Sequence, residues 1–119
     1  MAAFGLLVLW AVSTFAAEPF FFIQLSDPQF GMFTNNKDFV QETANFEFAV
    51  ASINRLKPAF VVITGDLVNK PGDRAQIAEF HRIAAKVDPK IRVYNVVGNH
   101  DISNSFMGKL WQEKFGRRY

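Results

Sequence analysis

There is no cysteine among the 119 residues. That excludes disulfides and thiolate chemistry, and leaves any metal to oxygen and nitrogen donors, the set that suits Mn, Mg, Fe or Zn. Histidine is scarce, with only His81 and His100. Net charge is small: 13 Lys and Arg against 11 Asp and Glu give +2, a balance that says nothing about nucleic acid, so no nucleic-acid binding is indicated. No Gly-x-x-x-x-Gly-Lys-Ser/Thr and no Gly-x-Ser-x-Gly occurs, so neither a P-loop nor a nucleophile elbow is on offer. Internal repeats and low-complexity tracts are lacking too. No apolar run reaches the roughly 20 residues of a comfortable membrane span.

What is there begins with an apolar run from Phe4 to Val12, followed by small residues ending in Ala16-Ala17 and the first charge at Glu18. This has the form of a secretory signal peptide over residues 1–17, although no Lys or Arg precedes the apolar core. An uncleaved anchor or an apolar arm is the other reading. The expectation is a secreted or periplasmic chain with one domain over residues 18–119. Phenylalanine, at 14 residues, is abundant enough to expect a Phe-rich core rather than a stacking platform.

Beyond Glu18 the pattern alternates. Residues 20–26 form a short apolar run, expected as a buried strand, and 27–37 carry the Asp, Pro, Gly and Asn-Asn of a loop. From Lys37 to Lys57, Phe39, Thr43, Phe46, Val50, Ile53 and Lys57 recur at helical spacing, and Pro58 closes the segment. Residues 59–64 predict a second strand. Asp73 can cap a second helix with the stripe Ile77, Phe80, Ile83, Ala84 and Val87. Residues 91–97 predict a third strand, and a third helix begins near Ser105. Strand–helix–strand–helix–strand implies an α/β fold with parallel strands, and near-continuous apolar strands predict a sheet covered on both faces.

In such sheets ligands gather outside the carboxyl ends of the strands. There the sequence places Asp27-Pro28-Gln29, then Gly65-Asp66-Leu67-Val68-Asn69, then Gly98-Asn99-His100-Asp101. Singly each is an ordinary turn or cap. Together they bring oxygen and nitrogen donors from three distant segments to one edge. Divalent cations need several such donors, and one carboxylate, here Asp66, can bridge two ions about 3.5–4 Å apart. Histidine is the side chain suited to passing a proton near neutral pH, and Asp101 is expected to orient the His100 imidazole. Asn69 and Lys70 read as a solvated turn or, less simply, as a phosphate contact.

Gly65-Asp66 and Gly98-Asn99-His100-Asp101, each after an apolar strand, resemble the second and third motifs of the calcineurin-like metallophosphoesterases. The resemblance covers about residues 20–115. It implies a parallel βαβαβ part of that family's sheet, layered with helices. It implies two divalent metal ions, with Asp27 and Asp66 as metal ligands and Asp66 as the bridge. Asn99 falls to the second metal, and His100 is the proton donor or phosphate contact. The family's first motif is usually Asp-x-His; here it is Asp27-Pro28-Gln29. With Phe30-Gly31 that stretch resembles a branch that includes an animal serine/threonine protein phosphatase. Gln29 is then either a ligand through its carbonyl oxygen or a support to one.

The family's later histidines, including a Gly-His-x-His motif, have no counterpart here, so residues 18–119 are expected to be the N-terminal, incomplete part of the family's domain, a fragment or a truncated gene product of a longer protein and a poor enzyme alone. The activity implied is metal-dependent phosphoester hydrolysis, with a phosphoprotein, a nucleotide or a small phosphoester as the phosphorylated substrate. The alternative is a non-catalytic metal- or partner-binding module. His81, beside Phe80, reads as a surface or boundary residue.

Overall fold

The computed structural model describes residues 18–102 and 105–115; the expected signal segment, residues 1–17, lies outside them. The order is β1 (Ile23–Ser26), α1 (Val40–Leu56), β2 (Phe60–Thr64), α2 (Arg74–Ala84), β3 (Arg92–Val96) and α3 (Ser105–Phe115). The strands form one parallel sheet in the order β1-β2-β3, with Ile23 beside Val61 and Val61 beside Val93. The α/β architecture and all six elements match the sequence expectation.

Local chemistry sets the helix ends. Asp73 caps α2, its Oδ1 accepting from the N–H groups of Ala75 and Gln76 at 3.0 and 3.2 Å. Lys57 ends α1 in the left-handed region at φ 52° and donates its N–H to the Ile53 carbonyl. Pro58 follows, with no N–H to carry the helix on. The first strand is shorter than the apolar run suggests. Phe20, Phe21 and Phe22 precede it and are at least half exposed. Their region has a neighbour on one side, where Phe21 accepts from the Ala59 N–H and Phe22 stacks on Phe60 at 4.9 Å.

The core is built on one face of the sheet. Val61 and Ile63 point into it, joined by Phe46, Val50 and Ile53 of α1, Phe80 and Ile83 of α2, and Trp111 of α3. Phe30 sits at its centre, edge-on to Phe39, Phe46 and Phe80. The expected cover on both faces is therefore corrected: among the described residues the helices lie on a single face, and Val62 and Tyr94 on the other are only half-buried. The reason is topological. Strand order advances in one direction, and right-handed crossovers then put both connecting helices on the same side. Helices α1 and α2 lie against each other there, joined by Thr43 to Glu79 at 2.8 Å and Arg82 to Glu47 at 3.0 Å.

Candidate metal centre

Main-chain hydrogen bonds carry the pairing of the strands on into the loops at their carboxyl ends. Asp27 donates its N–H to the Thr64 carbonyl, Gln29 to Asp66 at 2.9 Å, and Gly65 to Val96 at 2.9 Å. Phe30 and Val68 form a further parallel bridge. Between these bonds the chain turns sharply. Asp27, Gln29 and Asp66 take positive φ values of 50°, 36° and 31°, which L-residues rarely adopt, and Gly65 takes 73°. These turns set the candidate side chains at one sheet edge.

The glycines record how close the segments come. A Cβ added at Gly98 would collide with the Asp66 N and Oδ1 atoms. A Cβ at Gly65 would stand 3.7 Å from Gly98 Cα and 3.9 Å from Asp27 Oδ1. Asp66, only 8% exposed, packs onto Gly98, and its Oδ1 accepts the His100 N–H at 2.8 Å. The third loop is thereby bound to the second through the carboxyl group of the expected bridge.

Asp101 has a different task from the one expected. Its Oδ1 accepts from the N–H groups of Leu67 and Val68 at 2.7 and 3.1 Å, and its Oδ2 from Gly98 at 2.8 Å. Both oxygens are committed to main chain, so Asp101 clamps the two loops instead of orienting the His100 ring. Burial pushes its carboxyl above the ordinary value; the three N–H donors oppose this and neighbouring Asp66 adds to it. The His100 ring faces the Asn69 carbonyl, with Nδ1 at 3.3 Å. A carbonyl only accepts, so the proton belongs on Nδ1 and Nε2 is left as the working nitrogen.

A relay of amides fixes Gln29. Gln76 on α2 accepts at Oε1 from the N–H groups of Asn69 and Lys70, 3.1 and 3.0 Å away. That atom must be the oxygen, so the Gln76 Nε2 is the donor to Asn36 Oδ1 at 2.8 Å. Asn69 Nδ2 donates to the same oxygen at 2.9 Å, and Asn69 Oδ1 then accepts from Gln29 Nε2 at 3.2 Å. Gly31, at φ 99°, leaves the space that Gln76 fills. The relay is anchored on main chain at one end and leaves the side-chain amide oxygen of Gln29 without a donor among the described residues at the other. Asn69 thus touches both Gln29 and His100, and its reading as a solvated turn is replaced.

The donor set fits a hard divalent ion in its chemistry. Asp27 Oδ1, Asp66 Oδ2 and Gln29 Oε1 accept no hydrogen bond among the described residues, while Asp27 Oδ2 is held by the Ser26 hydroxyl. Asn99 is exposed at the same edge. The set is incomplete, because among the described residues no three His, Asp or Glu side chains gather as a metal-holding group. His81 stays apart, exposed on α2 and stacked on Phe115 at 5.0 Å.

Parallel strands with polar loops at one edge define a class, and comparison names it: residues 22–119 match the calcineurin-like phosphoesterase family, to which the chain belongs. Among curated proteins the chain is similar to the serine/threonine-protein phosphatase CPPED1. It is 38% identical to the Bos taurus protein over 72% of this chain and 32% of that one. For Rattus norvegicus the figures are 41%, 73% and 33%, and for Homo sapiens 37%, 73% and 32%. The chain spans about a third of the length of these relatives.

Proposed function

We propose that this chain supplies metal-holding and proton-donating residues for phosphoester hydrolysis, with a serine- or threonine-phosphorylated protein as the substrate. The observation that carries this reading is the convergence of Asp27, Asp66 and the His100 loop, locked together by the Asp66–His100 and Asp101 hydrogen bonds. Family membership and the phosphatase relatives support it. Asp27 and Gln29 would hold one divalent ion, Asn99 a second, and Asp66 both. When bound, such ions neutralise the phosphoryl oxygens and acidify water. His100, with Nδ1–H held on the Asn69 carbonyl, would in its doubly protonated form give the Nε2 proton to the departing alkoxide, leaving the neutral Nδ1–H tautomer. Asp101 acts by holding the two loops in register.

The test is hydrolysis of a phosphoserine peptide with added Mn, alongside metal content per protein. Asp66→Asn should lose both; unchanged metal occupancy would refute the bridging role. One observation favours a second reading, a non-catalytic metal- or partner-binding module: no three acidic or imidazole side chains gather among the described residues. Metal retention with no turnover on any phosphoester would select it. We further propose export directed by residues 1–17; a mature amino terminus at Met1 in the processed protein would contradict it.

A further inference from the structure

Beside Asp27, between β1 and α1, lies a cavity of about 240 Å³ that no step above uses. Its walls include Leu25 and the rings of Phe33 and Phe46, and its polar lining comes from Ser26, Asp27, Glu42 and Asn45. Glu42 is 3% exposed. Its Oε1 accepts the Phe33 N–H at 2.9 Å, but its Oε2 is buried without a partner among the described residues. A buried carboxyl oxygen with no donor is costly, and a native site that carries one calls for a missing partner. None of the ion pairs among the described residues reaches Glu42. The space is far larger than one water needs.

We propose that this cavity receives an arginine or lysine side chain that flanks the phosphorylated residue of a protein substrate. A long basic side chain has the matching anatomy, an apolar stem for the Leu25, Phe33 and Phe46 walls and a cationic head for Glu42. Aromatic walls add attraction for the cation. Asp27 borders both the cavity and the metal centre, so one substrate can reach both, its phosphate at the centre and its basic group in the cavity. The proposal rests on the phosphoprotein reading above and adds a sequence preference to it.

The test uses the whole 119-residue chain with Mn and fluorescent peptides read by anisotropy. Each peptide is made with phosphoserine or serine, and with arginine or norleucine scanned along both flanks. The arginine phosphopeptide should bind about tenfold tighter than its best norleucine counterpart, a typical margin for one desolvated charge pair. That margin should vanish in Glu42→Gln. It should vanish also in Asn45→Lys, which sets an ammonium one helical turn from Glu42. The second variant and the wild-type peptide comparison decide the matter even where Glu42→Gln fails to fold. If phosphorylation tightens binding while arginine and norleucine tie, the cavity proposal falls and the phosphoprotein reading survives. If arginine wins but phosphate adds nothing, the cavity stands and that reading falls. Binding of no peptide overturns both.

Discussion

Gly98 shows how one missing side chain can hold a site together. Its hydrogen lies where any Cβ would strike Asp66, so Gly98→Ala must push the second and third loops apart. Overpacking of this kind costs about 1–3 kcal/mol. We expect a lowered unfolding midpoint in urea and weaker Mn binding together, because the same atoms serve both. Two adjacent residues should separate cleanly. His100→Ala removes a ring that among the described residues bonds only the Asn69 carbonyl, so the melting temperature should hardly move while turnover of any active form falls on the order of 10²-fold. Asp101→Asn replaces an acceptor of three main-chain N–H groups with one that cannot satisfy all three, and should cost about 1–3 kcal/mol in chemical unfolding. An Asp101→Asn protein with full stability and altered pH dependence of turnover would return Asp101 to the imidazole. The sequence made His100 and Asp101 look like a pair because they are neighbours. Adjacent residues in a turn point in different directions, and that direction is a property of the backbone, not of the spacing.

At the scale of elements, the strands and helices were legible because each apolar stripe has an unambiguous period. The polar residues riding on those stripes were not. Glu42 lies one turn before Phe46 on the face of Val50 and Ile53, and Gln76 one turn before Phe80 on the face of Ile83. Both are buried, one lining a cavity and the other heading the amide relay. A polar residue in an apolar stripe was the available signal, but its partners, Phe33 and Asn36, come from a loop whose path no periodicity predicts. The single covered face was missed likewise, since apolar strands do not state strand order. The α1–α2 contact carries its own pH prediction. Arg82, aided by Thr43, holds the Glu79 carboxyl down at about 2 from an ordinary 4.5. Lys86 and then Arg82 lower Glu47 as well. A folded value below the unfolded one means stability that is present above about 4.5 and is lost as pH falls toward 2. Thermal melts across that window should slope upward with pH, and Arg82→Ala should flatten the slope. These side chains are largely solvated, so the effect at neutral pH should be small.

At the scale of the whole molecule, β1 is an edge strand, paired on one side only among the described residues. Phe20 just before it is 72% exposed, and Phe48 on α1 is 75% exposed. Unpaired edges with apolar neighbours invite association. Phe20→Lys with Phe48→Lys should lower light scattering at a given concentration and leave the circular dichroism spectrum unchanged; undiminished scattering would locate the sticky surface elsewhere. The uncovered sheet face, with Val62 and Tyr94 half-buried, is the other place to look. A different outcome follows from three of the left-handed residues, Asp27, Gln29 and Asp66. Each is a position where glycine would relax the backbone, by about 1–2 kcal/mol in the usual case. A laboratory selection for heat resistance alone would therefore be drawn toward glycine at Asp27 and held back at Asp66, where the His100 N–H would lose its acceptor. Read backwards, the discomfort of those turns is a tool: glycine is as welcome at Asn35, Asn36 and Lys57, so a screen that pairs glycine tolerance with loss of Mn binding would outline the centre without any substrate in hand.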